Sequence, residues 1–217
     1  MPTYDFYDNI KEYKIGKVTT SDAEIKQILL AWFAISLAFG IVLSSGSLFS
    51  LQFLINFAVA ALTVGIGFLL HELGHKVMAQ HYGYFAEFRS FNVMLILAVA
   101  MSFLGFIFAA PGAVFIASHS ITVRKNGIIS IIGAVINLCL AIIFLLISGQ
   151  FTGFLGLVGA YGFLINSWLA LFNMIPVWNF DGAKVFRWSK AAWITIVLIA
   201  GFFVFVVPQI IDSLVLF

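Results

Sequence analysis

The sequence predicts an all-α polytopic membrane protein with a small non-helical element inside it. Of its 217 residues, 63% are hydrophobic and only 9% are charged, whereas soluble domains carry about 25% charged residues. The mean hydropathy is +1.12. The apolar residues are also gathered into six long runs, most of which approach or exceed the roughly 20 residues that a helix needs to cross hydrocarbon.

The six apolar runs divide the chain into an N-terminal segment and one membrane domain. They cover residues 28–43, 53–79, 93–116, 127–147, 154–175 and 191–207. The first run is short, but it can be extended through Lys26 if that side chain snorkels. We therefore expect a polar N-terminal segment at 1–27 and a single transmembrane domain at 28–217.

Lysine and arginine placement indicates five or six spans and their orientation. If the run at 93–116 dips into the membrane and returns, all eleven basic residues fall on the N-terminal side, and the connectors at 44–52 and 148–153 carry none. The positive-inside rule then favours five full spans, with a cytoplasmic N-terminus in a multi-pass protein of the plasma membrane. The segment at 1–27 lacks the order of a cleaved signal peptide, so we expect the first span to be retained.

The flanks of the run at 93–116 predict a small β-hairpin between the second and third full spans. Residues 84–91 alternate in polarity and are rich in aromatics, and residues 113–117 follow the break at Pro111-Gly112. Both stretches are typical of strands. Non-helical backbone at this depth is tolerated only where it is buried in protein or lines a water-filled cavity.

Charge and cysteine content exclude two further classes. The net charge is +2, and no basic patch is interleaved with aromatics, so we expect no nucleic-acid partner. The single cysteine, Cys139, cannot form an internal disulfide. It lies in an apolar run, which predicts a small buried core residue.

Residues 71–75 read HELGH inside the second apolar run. On a helix, His71 and His75 lie one turn apart on one face, where both can reach a single zinc ion. Glu72 beside them could accept a proton from a water activated by that ion. A chance match is common in soluble helices, where polar residues face water, but each of these groups would need a partner in hydrocarbon. Lys76 is expected to be a snorkelling anchor or the edge of a polar channel.

A catalytic zinc takes three protein ligands, so the sequence must supply one more. The remaining candidates are His81, His119, Glu87, Asp181 and Asp212. The two histidines lie at a helix end and in a polar connector, where solvent or headgroups are the expected surroundings. Asp181 has two interpretations that the sequence leaves open, a metal ligand or the N-cap of a helix beginning near Ala183.

Three polar or small residues in the later apolar runs are further candidates. Asn173 precedes Pro176 by three residues, where an unpaired amide is costly. It could form an interhelical hydrogen bond or donate to a substrate carbonyl or oxyanion. Gly133 and Asn137 share a helix face, which predicts small-residue packing by Gly133 and a hydrogen bond across the bundle from Asn137.

Taken together, these motifs resemble those of the site-two intramembrane metalloproteases. The resemblance rests on HELGH at 71–75, PGAV at 111–114, GAVIN at 133–137, and the spacing of Asn173, Pro176 and the Asp181-Gly182 pair. It covers residues 53–190, the expected catalytic core, and departs mildly at Ala183, where the family often has glycine. With no PDZ-type insertion, it implies a minimal prokaryotic or archaeal-type member.

The resemblance implies the roles of the site residues. One catalytic zinc ion would be held by His71, His75 and Asp181, with Glu72 as general base. Asn173 would position the substrate or stabilise the oxyanion. The expected activity is hydrolysis of peptide bonds within or near transmembrane segments of membrane-tethered regulatory proteins. The partners are therefore transmembrane substrates and the lipid bilayer.

Three other functions agree less well with the sequence. A metal-ion transporter would spread its ionisable residues along a path and would show repeated halves, neither of which the sequence has. A metal-binding scaffold without activity is disfavoured by the intact Glu72. A prenyl-protein-type membrane metalloprotease would use a downstream glutamate as third ligand, and only Glu87 is available.

Overall fold

The computed structural model describes residues 12–16, 18–46, 48–107, 111–117 and 120–215. Its elements in chain order are β1 (Glu12–Ile15), β2 (Val18–Ser21), α1 (Asp22–Leu43), α2 (Leu51–Ala60), a π-helical turn (Ala61–Gly65), α3 (Ile66–His81), β3 (Phe85–Ser90), α4 (Asn92–Ser102), β4 (Gly112–Ala117), α5 (Val123–Gln150), α6 (Gly153–Asn173), α7 (Asp181–Trp188), α8 (Lys190–Phe205) and α9 (Val207–Val215).

Five helical stretches in the described part of the chain are long and apolar enough to cross a membrane. They are Asp22–Leu43, Leu51–His81, Val123–Gln150, Gly153–Asn173 and Lys190–Ile211. The second combines α2, the π-helical turn and α3. The predicted fold class, a helical polytopic membrane protein, is therefore confirmed.

The described residues of the run at 93–116 do not form a sixth helical span. Its helix α4 has 11 residues, which at about 1.5 Å per residue reaches about half of a 30 Å hydrocarbon layer. The strands on either side of it, β3 and β4, pair antiparallel from Phe85 opposite Ala117 to Ser90 opposite Gly112. Because the strands are hydrogen-bonded neighbours, the chain leaves and returns at the same place. The predicted hairpin is confirmed.

The N-terminal segment contains a second hairpin that the sequence did not predict. Strands β1 and β2 pair antiparallel, and α1 begins directly after them, six residues before the first apolar run. Ser21 caps this helix, since its side chain accepts a hydrogen bond from the backbone N–H of Glu24 at 3.0 Å. A serine cap and acidic residues in the first turn are a favourable helix start.

Helix α5 is central to the bundle and packs against α3, α6 and α7. The prediction for Cys139 was wrong, because its side chain is exposed on the outer face of this helix. Ile142 and Ile143, three and four residues further on, are exposed on the same face. An apolar run in a membrane helix therefore does not identify the side that faces the protein.

A π-helical turn separates α2 from α3 within one continuous span. The Trp32 indole N–H of α1 donates to the carbonyl of Ala61 at 3.1 Å, the first residue of this turn. Such turns disturb the regular hydrogen-bond ladder and are frequent near functional sites. This one begins ten residues before His71.

Candidate metal centre

Helix α3 directs His71 and His75 towards α5 and α7. Both side chains are buried, with 4% and 7% of their surface exposed. Their rings lie 4.6 Å apart between centroids and are nearly perpendicular. The i, i+4 spacing therefore places the two imidazoles together, as the helix period requires.

His71 is oriented by two buried amides. Its Nδ1 lies 2.6 Å from Asn137 Oδ1, while Asn137 Nδ2 donates to the carbonyl of Gly67 and to Asn166 Oδ1. Since the amide oxygen of Asn137 faces the ring, Nδ1 carries the proton in this network. The lone pair of His71 is then at Nε2. Outer partners of this kind fix the tautomer of a metal-binding histidine.

His75 has the same tautomer by a different route. Its Nδ1–H donates to the backbone carbonyl of Ile129 at 2.8 Å. Its Nε2 lies 2.9 Å from Asp181 Oδ2, yet this buried nitrogen has no hydrogen-bond partner among the described residues. An orphaned nitrogen lone pair in a dry site requires a cation or a proton.

Asp181 joins the two histidines from a distant part of the chain. Its Oδ2 lies 3.3 Å from His71 Nε2 and 2.9 Å from His75 Nε2, and its Oδ1 accepts from Lys184 at 3.1 Å. Asp181 is the first residue of α7, whose N-cap is Phe180, with no side-chain cap hydrogen bond. The structure therefore favours the ligand role of Asp181 over the capping role.

The electrostatics of Asp181 suit metal binding. Burial alone would raise the pKa of its carboxyl, but positive charge on His75, the close approach of both histidines, and Lys184 together hold the pKa well below its usual range. The carboxyl is therefore ionised at neutral pH, which is the form that binds metal.

Two glycines allow the backbone to bring these ligands together. A Cβ at Gly133 would lie 2.5 Å from Cε1 of the His71 ring, and a Cβ at Gly182 would lie 2.2 Å from the backbone of Met174. Neither distance is possible for a real side chain. The predicted close packing by Gly133 is therefore present, and its neighbour is one of the ligand candidates.

The three ligand atoms fit a divalent metal. One atom from each of His71, His75 and Asp181 lies within 4.8 Å of the others. Two lone-pair nitrogens and a carboxylate oxygen that face one another repel unless positive charge lies among them. Imidazole and carboxylate are also the donors that catalytic zinc takes, with one position left open.

Glu72 lies beside this group and belongs to a different face of α3. One carboxylate oxygen, Oε2, accepts a hydrogen bond from the backbone N–H of Val114 in β4 at 3.1 Å. The side chain of Glu72 therefore links α3 to strand β4 at the residue next to His71.

The other sequence candidates lie outside the metal group. His81 is exposed at the end of α3, and Glu87 accepts from Ser21 and Arg89, so it does not supply the third ligand. Asn173 is half-buried near the end of α6, and its amide donates to the carbonyl of Leu169 at 2.9 Å. Its role in the site stays a prediction. His119 and the side chain of Asp212 lie outside the described part of the structure.

Sequence reasoning missed two buried polar residues, Glu24 and Asn166, and misplaced a third, Lys76. Lys76, predicted to snorkel or to line a channel, is 1% exposed and forms a buried ion pair with Glu24, which is fully buried. Asn166 was also missed, although it supports Asn137. A polar residue inside an apolar run is the feature that could have identified Asn166.

The fold and this cluster define a helical membrane protein with two histidines and an aspartate that come together in a group able to hold a metal ion. The chain is similar to the protein named "Putative zinc metalloprotease MJ0611" from Methanocaldococcus jannaschii. The two are 39% identical over 140 residues, which cover 63% of this chain and 73% of the relative. The chain therefore belongs to the zinc metalloprotease family of that protein. No family model and no solved structure matches the chain.

Proposed function

We propose that this protein is an intramembrane zinc metalloprotease of the site-two type, which cleaves transmembrane segments of membrane-tethered regulatory proteins. The observation that carries the proposal is the convergence of His71, His75 and Asp181 next to Glu72, within a bundle of five membrane-length helices. An ionisable cluster of this kind is expensive in a membrane and is therefore expected to have a function.

His71 Nε2, His75 Nε2 and Asp181 Oδ2 would hold the zinc ion. When bound, zinc supplies Lewis acidity to the scissile carbonyl and to the attacking water. The protein holds both imidazoles in the tautomer that leaves Nε2 free, through Asn137 and the carbonyl of Ile129. This preorganisation keeps the ligand geometry from relaxing during the reaction.

Glu72 is the proton carrier in this proposal. It is adjacent in sequence to His71, and one of its oxygens already accepts a hydrogen bond from Val114. We assign it to accept the proton of the attacking water and to return that proton to the leaving amine. Asn173 is assigned to donate to the substrate carbonyl, since its amide has two N–H donors and one of them is directed at the carbonyl of Leu169.

The substrate must be extended where it is cut, since a helix hides its amides in internal hydrogen bonds. The β3–β4 sheet offers a place for such a segment. On β4 the N–H of Val114 points away from β3 and towards Glu72. A substrate strand that pairs along this edge would lie against the proposed general base.

Orientation and location complete the proposal. The N-terminus is assigned to the cytoplasm and the protein to the plasma membrane, because the basic residues gather on one side when 93–116 returns on itself. The pairing of β3 with β4 supports that return.

The test compares Glu72→Gln with the wild type in liposomes that contain a model transmembrane substrate. Glu72→Gln should keep its zinc but lose cleavage by about 10²- to 10⁴-fold, the usual contribution of a general base. Glu12→Gln, an exposed glutamate on β1, is the matched control and should cleave normally. Metal-free wild-type protein after gentle extraction, or near-normal turnover by Glu72→Gln, would overturn the proposal.

A further inference from the structure

The outer edge of strand β3 is occupied by side chains from two helices. The amide of Gln80 donates to the carbonyl of Ala86 at 3.0 Å, and the N–H of Phe88 donates to Glu24 Oε1 at 2.8 Å. One step further along the strand, the N–H of Ser90 donates to Gln27 at 2.9 Å. These groups alternate along the edge that faces away from β4, so this edge cannot accept another strand.

Glu24 is the centre of this arrangement and is fully buried. While Oε1 accepts from β3, Oε2 accepts from Lys76 of α3 and from Thr20 at 2.7 Å. Lys76 is 1% exposed, so neither charge contacts water. A buried ion pair adds little to stability compared with apolar residues of similar size. Its presence here points to a positioning role.

The contacts form a closed circuit that begins and ends on α3. Lys76 contacts Glu24, which holds Phe88 of β3. Phe88 is the register partner of Val114 in β4, and Val114 donates to Glu72. Lys76 and Glu72 are four residues apart on one face of the helix. The two edges of the sheet are therefore tied to consecutive turns of the helix that carries the ligands.

We propose that Glu24 is a positioning residue that fixes the β3–β4 sheet against α3, with Lys76 as the cation that lets its carboxylate remain buried. The inference rests on the proposed function in one respect: the edge of β4 that faces away from β3 is taken to hold the substrate. A sheet fixed in this way presents one backbone register to the metal, and hence selects one scissile bond. A loosened sheet presents several.

Two double variants separate the effect of the hydrogen bond between Phe88 and Glu24 from the effect of the Glu24–Lys76 ion pair. Both remove the charges together, so that neither leaves a lone buried ion. Glu24→Gln with Lys76→Met keeps an oxygen for the N–H of Phe88, whereas Glu24→Leu with Lys76→Met removes it. Lys26→Met, which removes an exposed lysine of α1, is the control. The readouts are zinc content, amide hydrogen exchange at Phe88, and mass spectrometry of the products from a transmembrane substrate.

The glutamine variant should keep wild-type protection of the Phe88 amide and should cut at the wild-type bond. The leucine variant should keep its zinc, exchange that amide at least tenfold faster, and spread cleavage over neighbouring bonds. Equal exchange and equal cleavage positions in the two variants overturn the inference. If the wild type cleaves nothing, the proposed function fails, and the exchange comparison alone still decides whether Glu24 holds the sheet.

Discussion

Two rows of side chains on helix α3 have the same spacing and different tasks. His71 and His75 face α5 and α7, and their Nε2 atoms converge with Asp181. Glu72 and Lys76, one position further on, are opposite charges four residues apart, a spacing that often gives a salt bridge. Instead Glu72 accepts from Val114, and Lys76 pairs with Glu24. The first row gathers ligands at a point, and the second anchors a sheet.

The largest effect should come from changing Asp181, the α7 residue that meets the first row. Asp181→Asn replaces the carboxylate oxygen between the two imidazoles with a neutral amide. Zinc affinity should fall by more than about 100-fold, beyond the 10- to 100-fold that outer-shell changes cost. Metal analysis and competition with a chelator measure it. Asp22→Asn, at the start of α1, should bind zinc normally. Full zinc content in Asp181→Asn would return Asp181 to a structural role.

A smaller loss is expected from removing the support behind that row. Asn137→Ala leaves Nδ1 of His71 without its acceptor, so the ring can turn and the tautomer is no longer held. Zinc affinity should fall by about 10- to 100-fold. Asn166→Ala should cost less, since Asn166 acts through Asn137. A larger loss for Asn166→Ala, in the same chelator titration, would contradict this order.

The smallest effect should come from weakening one contact of the sheet that the second row anchors. Gln27→Met removes the acceptor of the Ser90 N–H while Glu24 and Gln80 still hold β3. The loss of one such hydrogen bond costs about 0.5–1.5 kcal/mol of stability. Only part of this free energy should appear in the activation barrier for cleavage. The cleavage rate should fall by less than about tenfold, with zinc content unchanged. A parallel loss of zinc would show that the two rows are coupled, which would contradict their separate tasks.

Much of the fold followed from local pattern. Run length and composition predicted the membrane helices, and alternation at 84–91 predicted β3, because both patterns reflect the period of the element itself. The N-terminal hairpin and the exposed position of Cys139 were missed. Neither has a local cause: a two-stranded hairpin needs packing partners, and the lipid-facing side of a helix depends on its neighbours.

The sequence alone determined where the membrane helices lie and the two i, i+4 rows on α3, because apolar runs mark membrane segments and a helix places residues four apart on one face whatever surrounds it. Only the tertiary structure decided which atoms those rows meet. Asp181 reaches His71 across 110 positions of chain, and Lys76 reaches Glu24 across 52. Such contacts depend on how helices cross and how closely glycines such as Gly133 let them approach, and neither is a property of a local stretch of sequence.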